Sequence, residues 1–114
     1  MKRGDFVSVA LPGDYGKPRP AIIVQSDGLL AVDSVLVAIL STHQLDAPLY
    51  RLSFVPSAAN GLREPSDILV EKLFAVPRAK VGPVFGRAND TEMTELNGML
   101  AFVLGLSEPV DPSS

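Results

Sequence analysis

Residues 16–27 read GKPRPAIIVQSD, and this segment leads into the second strand of a predicted hairpin. The apolar run Ala21 to Val24, which follows Pro20 directly, is typical of a strand. Upstream, Phe6 to Leu11 reads as a first strand that ends at the turn sequence Pro-Gly-Asp at 12–14. Two short strands around one loop predict a β-hairpin at the start of the chain.

Further strands are predicted downstream of the hairpin. Val35 to Leu40 is apolar throughout, which predicts a strand buried on both faces. Tyr50 to Val55 alternates in the way of a strand with one buried face, and Ile68 to Val70 reads as a fifth, short strand. A short extended piece is expected near Val84 and Phe85.

The last part of the chain changes from strand to helix periodicity. Asp90 is the predicted N-cap, and Met93, Leu96 and Leu100 then recur at helical spacing up to a stop at Gly105. Strands followed by one helix predict a mainly β fold, with a C-terminal helix packed on a small curled sheet or partial barrel. At 114 residues we expect one domain, placed at 1–106, and a flexible tail at 107–114.

Charge is distributed unevenly along the chain. The net charge is −3, from 10 Lys and Arg against 13 Asp and Glu, which argues against a uniformly basic nucleic-acid binder. Residues 88–114 nevertheless hold five of the acids and no Lys or Arg, so the first 87 residues carry all the cations and a positive balance. A site for a polyanion is therefore expected in the first part of the chain.

Composition excludes several kinds of site. The chain has no Cys and a single His, which excludes thiolate nucleophiles and most metal sites, and we expect neither a metal ion nor another cofactor. No stretch approaches the roughly 18 apolar residues of a membrane span, and the N-terminus does not read as a signal peptide. We therefore expect a cytoplasmic protein that does not associate with membranes.

Arg19 is the first candidate for chemistry. It stands between Pro18 and Pro20, whose rings restrict the backbone and lower the entropy lost when the guanidinium is held in place. A planar, permanently charged fork held in this way suits the oxygens of a phosphate group. A solvated surface arginine is the alternative, and spacing by itself does not separate the two.

Polar residues at strand ends are further candidates. Ser41, Thr42 and His43 follow the third strand, where a hydroxyl on a rigid strand end can reach a substrate, although such hydroxyls also cap turns. His43 is a candidate for proton transfer or, alternatively, a surface residue. Glu71 ends the fifth predicted strand, and an ordinary carboxylate is a weak base at neutral pH.

Taken in order, these segments resemble the MazF/PemK family of toxin endoribonucleases from type II toxin–antitoxin systems. The resemblance rests on RGDFVSVAL at 3–11, RPAIIVQSD at 19–27, AILST at 38–42, ILVEKL at 68–73 and the closing helix, and it covers nearly the whole chain. It implies an SH3-like or CcdB-like small β-barrel, a homodimer and a cognate antitoxin of the MazE or PemI type. The implied activity is metal-independent, sequence-specific cleavage of single-stranded RNA.

The resemblance also implies roles for individual residues. Arg19 falls on the family's arginine beside the phosphate, Ser41 or Thr42 on its catalytic hydroxyl, and Glu71 on the carboxylate of some members. The expected RNA-binding residues are Tyr15, Lys17, Arg78 and His43. The loop at 11–17 is shorter than in many members, so the cleavage sequence is not carried over. Many members also have an arginine where Leu73 and Phe74 stand, and Arg78 is the expected substitute.

The expected reaction uses the 2′-hydroxyl of the RNA as the nucleophile and leaves a 2′,3′-cyclic phosphate, so DNA is not a substrate. A CcdB-like toxin with the same fold, which inhibits a protein target such as DNA gyrase, is the alternative, but it leaves Arg19 and Ser41 without a task. A binding module of the SH3 type is less favoured, because such modules display an aromatic groove and this chain has no Trp.

Overall fold

The structure is a computed structural model that describes residues 1–13, 17–29 and 31–109. A 3₁₀ turn, Arg78–Lys80, joins the last two strands. The other elements are β1 (Asp5–Ala10), β2 (Pro18–Ile23), β3 (Ser34–Ser41), β4 (Arg51–Phe54), β5 (Ser66–Pro77), β6 (Val81–Arg87) and α1 (Asp90–Val103). All neighbouring strands are antiparallel, in the order β4-β5-β3-β2-β1-β6. The prediction of a mainly β fold with one C-terminal helix is confirmed.

The sheet curls strongly, because β5 and β6 lie four positions apart in it and yet are joined by a short link. Pro77 pairs with Ser34 on β3, and Val81 pairs with Val9 on β1. The four residues from Pro77 to Val81 span at most about 14 Å, whereas four strand spacings on a flat sheet cover about 19 Å. The sheet therefore bends part of the way towards the expected barrel, while β4 and β6 remain its two edges over the described residues.

Both faces of the curled sheet are buried, as the apolar third strand predicted. On one face, Phe6 and Leu40 belong to a core that α1 covers through Leu96. On the other face, Val37 and Val76 belong to a second core. The two cores hold the sheet in its curved shape and so fix the relative positions of the strand ends.

β5 is much longer than the three-residue strand predicted at Ile68–Val70. It has 12 residues, Ser66–Pro77, and crosses the polar pair Glu71–Lys72, which we interpreted as the end of the strand. The pairing of β5 with β3 is irregular between Ala38 and Leu40, so this exposed polar pair interrupts the apolar pattern without ending the strand. An irregularity of this kind depends on the partner strand and has no signature in the local sequence.

The helix is capped by Asn89 and not by Asp90. The Asn89 side-chain oxygen accepts a hydrogen bond of 2.8 Å from the Glu92 backbone N–H, and the Glu92 carboxylate accepts one of 2.8 Å from the Asn89 backbone N–H. This reciprocal pair satisfies two amides that the helix cannot satisfy itself, which explains the position of the cap. Gly105, with φ +71°, follows the helix end as predicted.

Candidate active site

The Pro18–Pro20 segment begins β2 and separates two clefts. Arg19 is half-buried and pairs with Val9 on β1. It lines a cleft of about 430 Å³, whereas Pro18 and Pro20 line a second one of about 370 Å³ together with Thr42. Alternation along a strand explains the division, because successive side chains point to opposite faces. We name the first the Arg19 cleft, lined by Ala10, Leu11, Pro12, Arg19 and residues 74–77, and the second the Thr42 cleft.

Arg19 and Ser41 share one face of the sheet. The ladder between β2 and β3 ends with Ala21 opposite Ile39. Extending this antiparallel register by two residues sets Arg19 across from Ser41, and both then lie on the face of the second core. Thr42 is exposed and lines the other cleft. The register therefore sets the predicted arginine and one of the two predicted hydroxyls on the same face of the sheet, and the second hydroxyl on the opposite face.

The Ser41 hydroxyl caps a turn and keeps a proton to donate. Its Oγ accepts a hydrogen bond of 3.1 Å from the His43 backbone N–H, which is the capping role that we considered as an alternative. A hydroxyl has two acceptor sites and one donor, so this contact leaves the O–H able to donate to a substrate oxygen. The same bond fixes the backbone of His43, whose side chain is exposed.

Asp67 is a buried residue of the site that sequence reasoning missed. Its side chain is fully buried, opposite Ser41 on β3 and Ser53 on β4. The carboxylate accepts hydrogen bonds from the Ser53 hydroxyl at 2.6 Å, the Gln44 amide at 3.1 Å and the Leu45 backbone N–H at 3.0 Å. Asp67 therefore fixes the segment that follows Ser41. An aspartate after Pro-Ser at a strand start reads as a turn residue, and its partners are visible only across the sheet.

Burial alone raises the pKa of Asp67, but the hydrogen bonds from Ser53, Leu45 and Gln44, with the nearby charge of Arg51, lower the pKa below its ordinary value of 3.8. A carboxyl with a lowered pKa stabilises the fold fully above the pKa of the unfolded chain. That contribution is lost as the pH falls through the lower value of the folded protein.

The substitution Asp67→Asn is expected to lower the free energy of unfolding by about 1–3 kcal/mol at neutral pH, because an amide leaves buried donors without an acceptor. Urea unfolding at decreasing pH should show the gap to the wild type narrowing below about pH 3.8, where the Asp67 carboxyl of the unfolded chain becomes protonated before that of the folded protein. Asp46→Asn, an exposed carboxylate in the same segment, is the matched control and should change little. A gap that stays constant down to acid pH would contradict the role given to the charge.

Glu71 forms an ion pair with Arg51. The Arg51 Nε donates to both of its carboxylate oxygens, at 3.1 and 3.0 Å, and the Arg51 side chain is only 9% exposed. Glu71 also lies four residues beyond Asp67 on β5, up to about 13 Å from the row of Ser41. Glu71 is thus held by Arg51, whose charge also lowers the pKa of Asp67 opposite Ser41.

The predicted RNA-binding residues fall in different places. Arg78 donates through Nε to the Val32 carbonyl at 2.8 Å and lies near the start of β3, up to about 23 Å along that strand from Ser41. Its Nε is thus engaged by the Val32 carbonyl, while the preceding residue, Pro77, lines the Arg19 cleft. Lys17 is exposed immediately before β2. Tyr15 lies outside the described residues.

Two comparisons of sequence identify relatives. The family model described as PemK-like, MazF-like toxin of type II toxin–antitoxin system matches residues 2–104. A protein of Mycolicibacterium smegmatis named probable endoribonuclease MazF is 38% identical over 108 residues, which cover 94% of this chain and 99% of that protein.

Solved structures show the same fold. An endoribonuclease from a mycobacterial species, in complex with its cognate antitoxin, superposes with a TM-score of 0.80 at 21% identity, covering 96% of this chain and 99% of the other. The Mycobacterium tuberculosis toxin MazF-mt6 superposes with a TM-score of 0.76 at 19% identity, covering 89% and 96%. By its family match and its identity to the smegmatis protein, the chain belongs to the PemK-like, MazF-like toxins of type II toxin–antitoxin systems.

Proposed function

We propose that this toxin is an endoribonuclease that cleaves single-stranded RNA at specific sequences without a metal ion. The endoribonuclease class follows from the family and from the smegmatis relative. The placement of Arg19 and Ser41 on one face at the ends of β2 and β3 carries the proposed chemistry. The alternative of a toxin that inhibits a protein such as DNA gyrase is not favoured by these comparisons and gives neither residue a task.

The proposed reaction is an in-line displacement at phosphorus. The 2′-oxygen of the RNA forms a bond to the adjacent phosphorus and loses its proton, while the bond to the 5′-oxygen of the next nucleotide breaks and that oxygen gains a proton. The products are a 2′,3′-cyclic phosphate and a 5′-hydroxyl end. Negative charge builds on the phosphorane oxygens, so donors fixed beforehand at that place lower the barrier.

Each residue has one task in this scheme. Arg19 neutralises charge on the phosphorane, because its planar guanidinium matches two oxygens at once. Ser41 donates its hydroxyl proton to a non-bridging oxygen. His43 accepts the proton of the 2′-hydroxyl, because it follows Ser41 closely, whereas Glu71 is paired with Arg51. Lys17 attracts the RNA backbone, and Thr42 is a contact residue of the neighbouring cleft.

Partners and location follow from the same proposal. We expect the active toxin to be a homodimer. We also expect it to bind a cognate antitoxin that neutralises it, since the similar mycobacterial endoribonuclease is in complex with its cognate antitoxin. No helix among residues 1–13, 17–29 and 31–109 is a candidate to cross a membrane. The substrate proposed is cellular RNA, which places the action of the toxin in the cytoplasm.

The purified protein, incubated in EDTA with a pool of single-stranded RNAs, is expected to cut at a defined motif and leave 2′,3′-cyclic ends. A matched RNA with one 2′-deoxynucleotide 5′ of the cleaved bond should resist cutting at that bond, because the nucleophile is missing. Cleavage of the deoxy substrate, or dependence on added metal ions, would refute the mechanism. An absence of any cleavage would refute the function itself.

A further inference from the structure

We propose that Phe74 stacks on a nucleobase next to the scissile phosphate, so that the Arg19 cleft holds one nucleotide by its base and its phosphate. This inference rests on the proposed function and deepens it. Phe74 is 40% exposed and lines the same cleft as Arg19. The predicted stacking residue, Tyr15, lies outside the described residues, and Phe74 is an aromatic group for which the sequence analysis had no use.

The position of Phe74 on β5 explains its exposure. Phe74 pairs with Val37 on β3, and both lie on the face of the second core. Two residues later, Val76 points to the same face and is only 1% exposed. The apolar face is therefore buried at Val76 and exposed at Phe74, where the Arg19 cleft begins. A large apolar ring left in this place has surface that a ligand can still bury.

The chemistry of the Arg19 cleft fits a nucleotide. Its walls combine aliphatic and proline side chains with one aromatic ring and one guanidinium, at Phe74 and Arg19. Its volume of about 430 Å³ falls in the range of roughly 300–1,000 Å³ that small-ligand sites occupy. A nucleotide has a flat, apolar base beside an anionic phosphate. The Arg19 cleft has an apolar wall beside a fixed cation, which matches these two groups. The occupant that we assign is therefore single-stranded RNA.

Charge separates Phe74 from the other exposed phenylalanine of the described chain. Phe102 on α1 is 48% exposed, but it lies in the segment 88–114, which holds five acids and no Lys or Arg. An acidic surface repels a phosphate backbone, whereas Lys17 and Arg19 lie in the first part of the chain with the positive balance. Phe102 is thus the natural control for an aromatic ring without a phosphate partner.

Stacking is tolerant of sequence, because every base has a π face, so Phe74 contributes affinity and Arg19 and Ser41 contribute rate. Loss of one stacked base is worth about a 5- to 100-fold change in affinity. Phe74→Ala should therefore raise the Kd of an uncleavable RNA, carrying the 2′-deoxy substitution, by that factor. The kcat on saturating RNA should change much less.

Four comparisons test the proposal with the full-length protein. Phe74→Tyr should bind RNA like the wild type, and Phe74→Leu, which keeps apolar bulk without a flat ring, should bind nearly as weakly as Phe74→Ala. Phe102→Ala should leave the Kd unchanged. Two further RNAs each carry one abasic nucleotide, on the 5′ or on the 3′ side of the scissile phosphate. One of them should bind the wild type as weakly as normal RNA binds Phe74→Ala. The same abasic RNA should bind Phe74→Ala no more weakly than it binds the wild type.

The proposal is overturned if Phe74→Ala binds RNA within twofold of the wild type, or if leucine restores full binding. It is also overturned if sedimentation shows that Phe74→Ala dissociates into a smaller species, because the ring would then belong to an interface between subunits. The Kd is measured on uncleaved RNA, so these outcomes are separate from a failure of the wild type to cleave, which refutes the proposed function.

Discussion

Replacing Arg19 with alanine is expected to slow RNA cleavage by about 10²- to 10³-fold in kcat, corresponding to about 2.7–4 kcal/mol of lost transition-state stabilisation. The reason is that the guanidinium is fixed at the entrance of β2 and adds charge where the phosphorane develops it. The measurement is single-turnover cleavage of a saturating RNA substrate, which isolates the chemical step from product release.

Two variants control this experiment. Arg19→Lys keeps the charge but loses the planar fork, so its rate should fall between those of the wild type and the alanine variant. Lys2→Ala removes an exposed cation that precedes β1 and should leave the rate unchanged. Arg19 also interacts with other groups of the fold, so thermal unfolding of each variant must accompany the rates. A folded Arg19→Ala protein that cleaves at the wild-type rate would remove Arg19 from the mechanism.

Replacing Ser41 with alanine is expected to lower kcat by a similar factor, about 10²- to 10³-fold, because the proposed transition state loses one donor to a non-bridging oxygen. Thr42→Val removes the neighbouring hydroxyl while keeping its shape, and should change kcat by no more than about threefold, because Thr42 lines the other cleft. Single-turnover rates of the two variants, measured side by side, decide between the two hydroxyls.

Ser41→Thr keeps a hydroxyl at the same position and should recover most of the activity. Ser41→Ala also removes the acceptor of the His43 backbone N–H, which threonine restores together with the donor, so thermal unfolding of Ser41→Ala is measured to detect a disturbed turn. If Thr42→Val is the slower enzyme, Thr42 and not Ser41 supplies the catalytic hydroxyl. Exchange of the roles in this way would leave the function intact and move the site to the Thr42 cleft.

Local pattern was sufficient for most of the fold. The run Val35 to Leu40 predicted a strand buried on both faces, and its side chains divide between the two cores except for Leu36, which is exposed. Helical spacing predicted α1, of which Leu96 and Leu100 are the buried residues. The prediction was wrong for β5, which continues as a strand through the polar pair Glu71–Lys72. Pairing with β3 maintains the strand there, whereas the composition of β5 at this point does not.

The candidate site was less predictable than the fold. Arg19 and Ser41 stand out in the sequence because a proline pair and a strand end mark them, and their catalytic roles stay predictions. Asp67 and Phe74 carry no such marks. Asp67 matters because Ser41 and Ser53 lie on either side of it, and Phe74 because the curl of the sheet brings β5 to the cleft of Arg19.

The strands, the closing helix, the family and the chemical character of the first candidates could be predicted from the sequence alone, because these depend on residue type, spacing and local hydrogen bonding. Which of the candidates share a face of the sheet depends on the tertiary structure. The curled sheet places Ser41 on the face of Arg19 and Thr42 in the other cleft, leaves Glu71 with Arg51 and sets Arg78 near the start of β3. Neighbours across strands are fixed by register and curvature, which are properties of several segments together and of no single one.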